Sequence, residues 1–298
     1  MFVRRMQWAG IAVATTLTLA ACGNAGEETE SGTEAEVATD AAEDFEDGTR
    51  MRELAEAGSI KIGVKYDQPG IGFKSATADT PTGFDVEMGK VIAGQLGIAS
   101  EDIEWVETIS DNREPFLQNE TVDLVLASYS ITPERLEIVG QAGPYYVTGQ
   151  QLMVAADDDS IAGPEDLEGK KVCSVTGSTS IITVEEEYGA TPAGFDTYSE
   201  CRDQLLNGSV DAVTTDGAIL LGYVSEAPDD LKVVGDTFSE ERYGVGFNID
   251  YPEMCEFLNT TIEASAEDGS YAEAFEATLG KSGVETPELP KLDECPAP

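Results

Sequence analysis

The chain has 298 residues and a formal net charge of −41, with 17 basic and 58 acidic side chains. This charge argues against nucleic-acid binding, because contacts to phosphates need basic patches. The sequence contains no histidine, which excludes Ser-His-Asp and Cys-His catalysis and histidine-ligated metal catalysis.

The N-terminus has the pattern of an export signal. Arg4 and Arg5 precede an apolar stretch at 8–21 that is short for a membrane span and ends in small residues. We predict a signal peptide over residues 1–21, with a transmembrane anchor as the alternative. The residues at 19–22 (LAAC) resemble a bacterial lipobox, in which Cys22 would carry a lipid and hold the protein on the extracytoplasmic face of the membrane.

The segment after this cysteine has almost no large apolar side chains. Such a composition cannot bury enough surface to offset its ordering entropy. We therefore predict that residues 22–49 are the lipidated cysteine followed by a disordered acidic tether.

The other four cysteines form an even set, as in exported proteins with disulfides. Three pairings are possible. We favour Cys173–Cys201 and Cys255–Cys295, because each pair is nearest in sequence and falls within one predicted lobe. A zinc site is the alternative, but it would require closely spaced ligand pairs and usually histidine. We expect no metal and no cofactor.

Strand and helix signals alternate from residue 50 onward. Period-2 hydrophobicity predicts a strand at 60–64, and 3.6-residue spacing predicts a helix from Phe84 to Leu96. Further strands are predicted at 122–127, 172–175 and 210–213. The pattern predicts an α/β fold with parallel sheets covered by helices.

Two similar segments, at 117–123 and 205–211, indicate two lobes of similar build. Extended stretches at 145–153 and 239–247 are predicted to cross between them. We assign residues 50–149 plus 244–298 to lobe 1 and residues 150–243 to lobe 2, with the final helices packed on lobe 1.

Polar residues follow the predicted strands, where open α/β sheets bind ligands. In the first lobe, Thr132 is a good N-cap and Pro133 suits the first helical position, which places Arg135 in the first turn. A helix N-terminus and a guanidinium together can bind a carboxylate. The alternative is a capped helix with a surface arginine.

The second lobe repeats this arrangement. Hydroxyl groups and Gly177 at 176–180 can surround an anion at a helix start, and Asp216 follows the strand at 210–213. An ammonium group would pair with this carboxylate. Anion-binding groups and one acid from two lobes suit a zwitterionic ligand.

Several motifs, in this order, resemble the family 3 solute-binding proteins of amino-acid ABC importers. They are IGVKYDQPGIGF at 62–73, TGFDV at 82–86, SITPER at 130–135, GPYY at 143–146 and VDAVTTD at 210–216. The resemblance covers about residues 50–295. Within the family, NREP at 112–115 and VCSVTGS at 172–178 are most similar to the glutamate-binding lipoproteins of actinobacteria.

The resemblance implies a type II periplasmic-binding-protein fold, with two lobes joined by hinge strands, that closes on a free amino acid. Its partners would be a membrane permease with ATPase subunits, and the protein is expected to be a monomer. Arg135 would take the ligand α-carboxylate, Asp216 and the Ser128 carbonyl the α-ammonium, and Arg113 the ligand side chain. The other implied ligand-binding residues are Ser130, Ser178, Thr179, Thr176 and Asp67.

Arg113 favours glutamate or aspartate as the ligand, because a buried charge needs a partner once the cleft closes. Arg113 could instead pair with Asp111 or Glu114 on its own loop, and glutamine or asparagine is the alternative ligand. A lyase or dehydratase on the same fold would need a cleft-facing general acid. A sensory module would need a fused transmembrane helix or a separate receptor partner. We do not expect an enzyme.

Overall fold

The computed structural model describes residues 35–296. The strands are β1 (Ile60–Val64), β2 (Asp67–Gln68), β3 (Gly72–Phe73), β4 (Ile103–Glu107), β5 (Leu124–Val125), β6 (Gly140–Thr148), β7 (Gln150–Ala155), β8 (Lys171–Val175), β9 (Thr191–Phe195), β10 (Ala212–Asp216), β11 (Leu231–Val234) and β12 (Glu241–Phe247). The α-helices are α1 (Arg50–Ala57), α2 (Phe84–Gln95), α3 (Arg113–Gln118), α4 (Pro133–Leu136), α5 (Thr179–Glu186), α6 (Tyr198–Leu206), α7 (Gly217–Glu226), α8 (Met254–Asp268) and α9 (Ser270–Glu276). Short 3-10 turns include Ala41–Asp44 and Ser110–Asn112.

The first lobe is built on a five-stranded sheet in the order β4-β1-β5-β12-β6. Strand β1 runs parallel to β4 and β5, and β12 runs antiparallel to β5 and β6. Phe84 of α2 is fully buried and packs edge-on against Tyr271 and Phe275 of α9. The C-terminal helices thus pack on the first lobe.

The second lobe contains a five-stranded sheet in the order β11-β7-β10-β8-β9. Strand β8 runs parallel to β9 and β10, while β7 runs antiparallel to β10 and β11. All five residues of β10 are buried. The predicted α/β architecture of two lobes is confirmed.

Two chain segments connect the lobes. A single residue, Gly149, separates the end of β6 in the first sheet from the start of β7 in the second. A Cβ atom at Gly149 would lie 2.5 Å from the carbonyl oxygen of Ser239, on the returning segment. The two connections therefore pass close together, and β12 pairs with β6 as soon as it re-enters the first lobe.

Three sequence-based boundaries need correction. The strand predicted at 122–127 forms sheet pairs only at Leu124–Val125. The strand predicted at 210–213 is observed at Ala212–Asp216, so Asp216 ends the strand instead of following it. Strand β12 belongs to the first sheet from Glu241 onward, so lobe 1 resumes three residues earlier than predicted.

The tether prediction is wrong for residues 35–49. Ala41 is buried within a 3-10 turn, and the Phe45 ring packs edge-on against Phe257 of α8 at 5.5 Å. The amide of Ala38 also donates to the carbonyl of Gly94 at 2.9 Å. These contacts offset the ordering entropy that the composition left uncompensated. The signal peptide, Cys22 and residues 23–34 lie outside the described residues.

Both predicted disulfides are present. Cys173 in β8 is bonded to Cys201 in α6, and Cys255 in α8 is bonded to Cys295 near the C-terminus. Within residues 35–296, no helix combines the length and apolar character that a bilayer crossing requires.

Candidate functional site

A cavity between the two lobes contains most of the predicted ligand-binding residues. Lobe 1 contributes Ser110, Arg113, Ser128, Ser130 and Arg135, and lobe 2 contributes Ser178, Thr179, Ser180, Tyr198, Thr215 and Asp216. Every one of these side chains can form hydrogen bonds. The predicted residues Asp67 and Thr176 are not part of this lining.

Arg135 is positioned by a short capped helix. Thr132 caps α4 by accepting a hydrogen bond from the amide of Arg135, and Pro133 is the first helical residue, as predicted. The guanidinium donates to the carbonyl of Ser130 at 2.7 Å and forms an ion pair with Glu114 at 3.2 Å. The charge of Arg135 is therefore matched by a carboxylate of its own lobe.

Arg113 is held differently. Its guanidinium is buried and donates to the carbonyl oxygens of Ser110, Ala127 and Ser128 at 3.2–3.3 Å. The alternative that Arg113 pairs with Asp111 or Glu114 on its own loop is wrong. Glu114 forms its ion pair with Arg135, and no ion pair within residues 35–296 involves Arg113. Burial, followed by repulsion from Arg135, lowers the pKa of Arg113 to about 10.

The two arginines lie side by side and meet the second lobe at one atom. The Tyr129 ring contacts both guanidinium groups, with centroid distances of 4.5 Å for Arg113 and 5.1 Å for Arg135. Both also donate to the carbonyl oxygen of Gly177 at 3.1 Å. Gly177 has a φ of +78°, a left-handed conformation that glycine adopts without strain.

Lys65 is a further buried cation that sequence reasoning missed. It follows β1, and its Nζ donates to the hydroxyl of Ser110 at 2.9 Å. Burial, with added repulsion from Arg113, lowers the pKa of Lys65 to about 7. The rule that ligands bind at the carboxyl ends of strands also applies to β1 and would have identified it.

Asp216 provides the acidic group of the cavity. Its Oδ2 accepts a hydrogen bond from the phenol of Tyr243 at 2.5 Å, whereas its buried Oδ1 has no partner within the described chain. Burial, together with repulsion from the neighbouring carboxylate of Glu241, raises the pKa of the Asp216 carboxyl to about 7. The site thus offers a free carboxylate oxygen opposite the arginines.

Ser128 is held in an unusual backbone conformation. Its φ is +42°, and its amide donates to Asp85 at 2.7 Å, while Tyr145 donates to the same carboxyl group at 2.6 Å. Burial raises the pKa of Asp85 to about 6. The Ser128 carbonyl, predicted to accept from the ligand ammonium, instead accepts from Arg113 here.

The second-lobe hydroxyls lie at the start of α5. Ser178 is the N-cap residue, and its hydroxyl accepts from the amide of Ile181 at 3.3 Å. The hydroxyl of Thr179 donates to Glu241 at 3.0 Å. Thr176, also predicted as a ligand contact, is exposed and does not line this cavity. Within the described chain, no cluster of three or more acidic or cysteine side chains could hold a metal ion.

Comparison with known proteins agrees with this geometry. A family model described as bacterial extracellular solute-binding proteins, family 3, matches residues 60–281. The protein belongs to this family.

Two relatives and a solved structure illustrate the range of similar solute-binding proteins. The chain is 36% identical to the glutamate-binding protein GluB of Corynebacterium efficiens, covering 94% of this chain and 92% of that protein. It is 30% identical to the glutamine-binding protein GlnH of Bacillus subtilis, covering 92% and 97% respectively. An ancestral arginine-binding protein bound to glutamine is similar with a TM-score of 0.70 and 36% identity, covering 75% and 98%.

In this solute-binding protein, Asp67 joins the lobes to each other. Its carboxylate, on β2 of lobe 1, accepts from the amide of Tyr198 at 2.7 Å, at the N-terminus of α6 in lobe 2. The phenol of Tyr223, on α7 of lobe 2, donates to the backbone carbonyl of Asp67. Asp67, predicted to contact the ligand, thus stabilises the contact between the lobes in this structure.

Replacing Asp67 with Asn should weaken ligand binding without changing which ligand is preferred. The variant loses charge-assisted hydrogen bonds that exist only while the lobes are in contact, so we expect the Kd to rise by about tenfold, equivalent to about 1.4 kcal/mol. Titration calorimetry of Asp67→Asn against an amino-acid panel measures this. The control is Asp79→Asn, which removes an exposed charge of the same lobe. A changed order of ligand preference, or an unchanged Kd, would contradict this role.

Proposed function

We propose that the protein captures free glutamate outside the cytoplasm by closing its two lobes and delivers it to the permease and ATPase subunits of an ABC importer. Cys22 would carry the lipid that anchors it. The resemblance to the GluB protein supports this ligand. The observation that carries the proposal is the excess of buried positive charge at one end of the cavity.

This end of the cavity differs from the rest of the site because two of its buried cations have no ion-pair partner. Arg135 is matched by Glu114, but neither Arg113 nor Lys65 forms an ion pair with any described residue. Both of these cations are at most 3% exposed. A buried charge without an opposite charge is costly. An anionic ligand side chain would remove that cost when it binds between the lobes.

In the proposed complex, each ligand group meets a complementary group. Arg135 takes the α-carboxylate and Asp216 Oδ1 takes the α-ammonium. Arg113 and the hydroxyl of Ser110 take the side-chain carboxylate. Because Ser110 accepts from Lys65, its own hydrogen is free to donate into the cavity. Lys65 thereby contributes positive charge to the ligand without contacting it.

Closure completes the site in two ways. Lobe 2 supplies Asp216, Ser178 and Thr179, while the Asp67 contacts hold the lobes together. Water exclusion strengthens every charge-assisted contact inside. A micromolar affinity requires about 8 kcal/mol, which two charged ends and this closure supply. The permease would recognise the closed form.

Glutamine is the second candidate, favoured by the similarity to GlnH and to the glutamine complex of the ancestral protein. Its amide oxygen accepts from Arg113 or Ser110 but carries no net charge. Glutamine would therefore leave the excess charge of Arg113 and Lys65 without an anion. This difference separates the two ligands experimentally.

Selectivity between glutamate and glutamine should depend on Lys65. We expect wild type to prefer glutamate by at least tenfold. Lys65→Met should reduce that preference by about tenfold, equivalent to about 1.4 kcal/mol, because the ammonium charge attracts the anionic side chain of glutamate but not the neutral amide of glutamine. Titration calorimetry with both amino acids measures the preference. Lys61→Met is the matched control, because Lys61 is exposed and lies on β1, the strand that Lys65 follows. A wild-type preference for glutamine would overturn the proposed ligand.

Glutamate affinity should be greatest near neutral pH. Below about pH 7 the Asp216 carboxyl becomes protonated and no longer pairs with the ammonium, whereas above about pH 7 Lys65 loses its proton and its attraction for an anion. Calorimetry over a range of about pH 5 to 9, which spans both pKa values, should give a bell-shaped affinity profile. Lys65→Met should flatten the alkaline side and Asp216→Asn the acidic side. A profile that stays flat in wild type would contradict both assignments.

A further inference from the structure

Glu241 is a buried carboxylate at the hinge that no role assigned above requires. It is the first residue of β12 and is only 4% exposed. Its Oε2 accepts from the hydroxyl of Ser130 in lobe 1 at 2.5 Å and from that of Thr179 in lobe 2 at 3.0 Å. Its Oε1 accepts from Ser239 at 3.0 Å. No basic side chain within residues 35–296 forms an ion pair with it.

These hydrogen bonds determine what the cavity offers to a ligand. A serine or threonine hydroxyl has one hydrogen to donate and two lone pairs that accept. Ser130 and Thr179 both line the cavity, and both donate their hydrogen to Glu241. Towards a ligand they can therefore only accept. The Ser130 hydroxyl, one of the implied ligand-binding groups, is therefore suited to an ammonium group and not to a carboxylate.

The charged surroundings agree with this reading. Glu241 and Asp216 repel each other, which adds to the raised pKa of Asp216. The other titratable and charged groups that act on the Asp216 carboxyl are Tyr146, Tyr198, Tyr243, Arg113 and Arg135. Two neighbouring carboxylates with two accepting hydroxyls form a region that a cation stabilises.

We propose that Glu241 is a positioning residue that commits the hydroxyls of Ser130 and Thr179 to accept from the ligand α-ammonium, and so makes the protein reject dicarboxylates that lack it. This inference rests on the proposed function, since it concerns the same cavity. Glu241 would thus discriminate between amino acids and simple organic acids without contacting the ligand itself.

The test compares glutamate with glutarate, which is glutamate without its ammonium group. The ratio of the two dissociation constants is measured by titration calorimetry for wild type and for Glu241→Gln. We expect the preference for glutamate to fall by at least about tenfold in the variant, equivalent to about 1.4 kcal/mol. Glu240→Gln is the matched control, because Glu240 is the exposed neighbour and loses the same charge. Its ratio should equal that of wild type.

A second readout uses the pH dependence. Without the Glu241 charge the Asp216 carboxyl is easier to ionise, so the acidic midpoint of glutamate binding should move down by about 0.5–1 pH unit in Glu241→Gln. A purely structural hinge role would weaken glutamate and glutarate equally and leave the midpoint in place. That result would overturn the inference.

Two further measurements keep the inference separate from folding defects and from the ligand assignment. If Glu241→Gln does not fold, Thr179→Val removes one accepting hydroxyl with little change of shape, and the preference for glutamate over glutarate should fall by about threefold. An unchanged ratio in Thr179→Val would contradict the inference. If wild type binds glutamine instead of glutamate, the proposed ligand is wrong, and the comparison of glutamine with its deaminated analogue still tests Glu241.

Discussion

The cleft brings together ionic groups that the protein takes out of water without pairing all of them. Arg113 and Lys65 lie buried on one side, and Asp216 lies buried on the other with one carboxylate oxygen unpartnered. Burial lowers the pKa of Lys65 and Arg113 and raises that of Asp216, so that in each case the neutral form is favoured. A ligand with opposite charges at matching positions removes the free-energy cost of burying these groups. The buried charges therefore determine which ligand the cleft binds.

The surrounding fold keeps these charges from pairing with each other. The Tyr129 ring contacts the guanidinium groups of Arg113 and Arg135. Glu114 neutralises Arg135 and leaves Arg113 in excess, while Asp85 fixes the backbone of Ser128. The two sheets hold the cationic and anionic groups on different lobes, so closing the hinge brings them to the ligand together.

Much of this arrangement could be predicted from sequence, because the relevant signals are local. The capped turn before Arg135, the presence of a buried strand leading to Asp216 and the cysteine spacings each depend on short stretches of chain. The roles of Asp67 and Glu241 could not be predicted, since their partners lie 131 and 111 residues away in the sequence. Residues 35–49 were misjudged because composition does not show that Phe45 packs on Phe257.

A crystal structure of the protein with glutamate tests the central claim most directly. The account predicts the ammonium group within hydrogen-bond distance of Asp216 Oδ1, the α-carboxylate at Arg135 and the side-chain carboxylate at Arg113 and Ser110. A ligand with its ammonium turned towards the arginines, or one bound outside this cavity with Asp216 Oδ1 still unpartnered, would contradict the account.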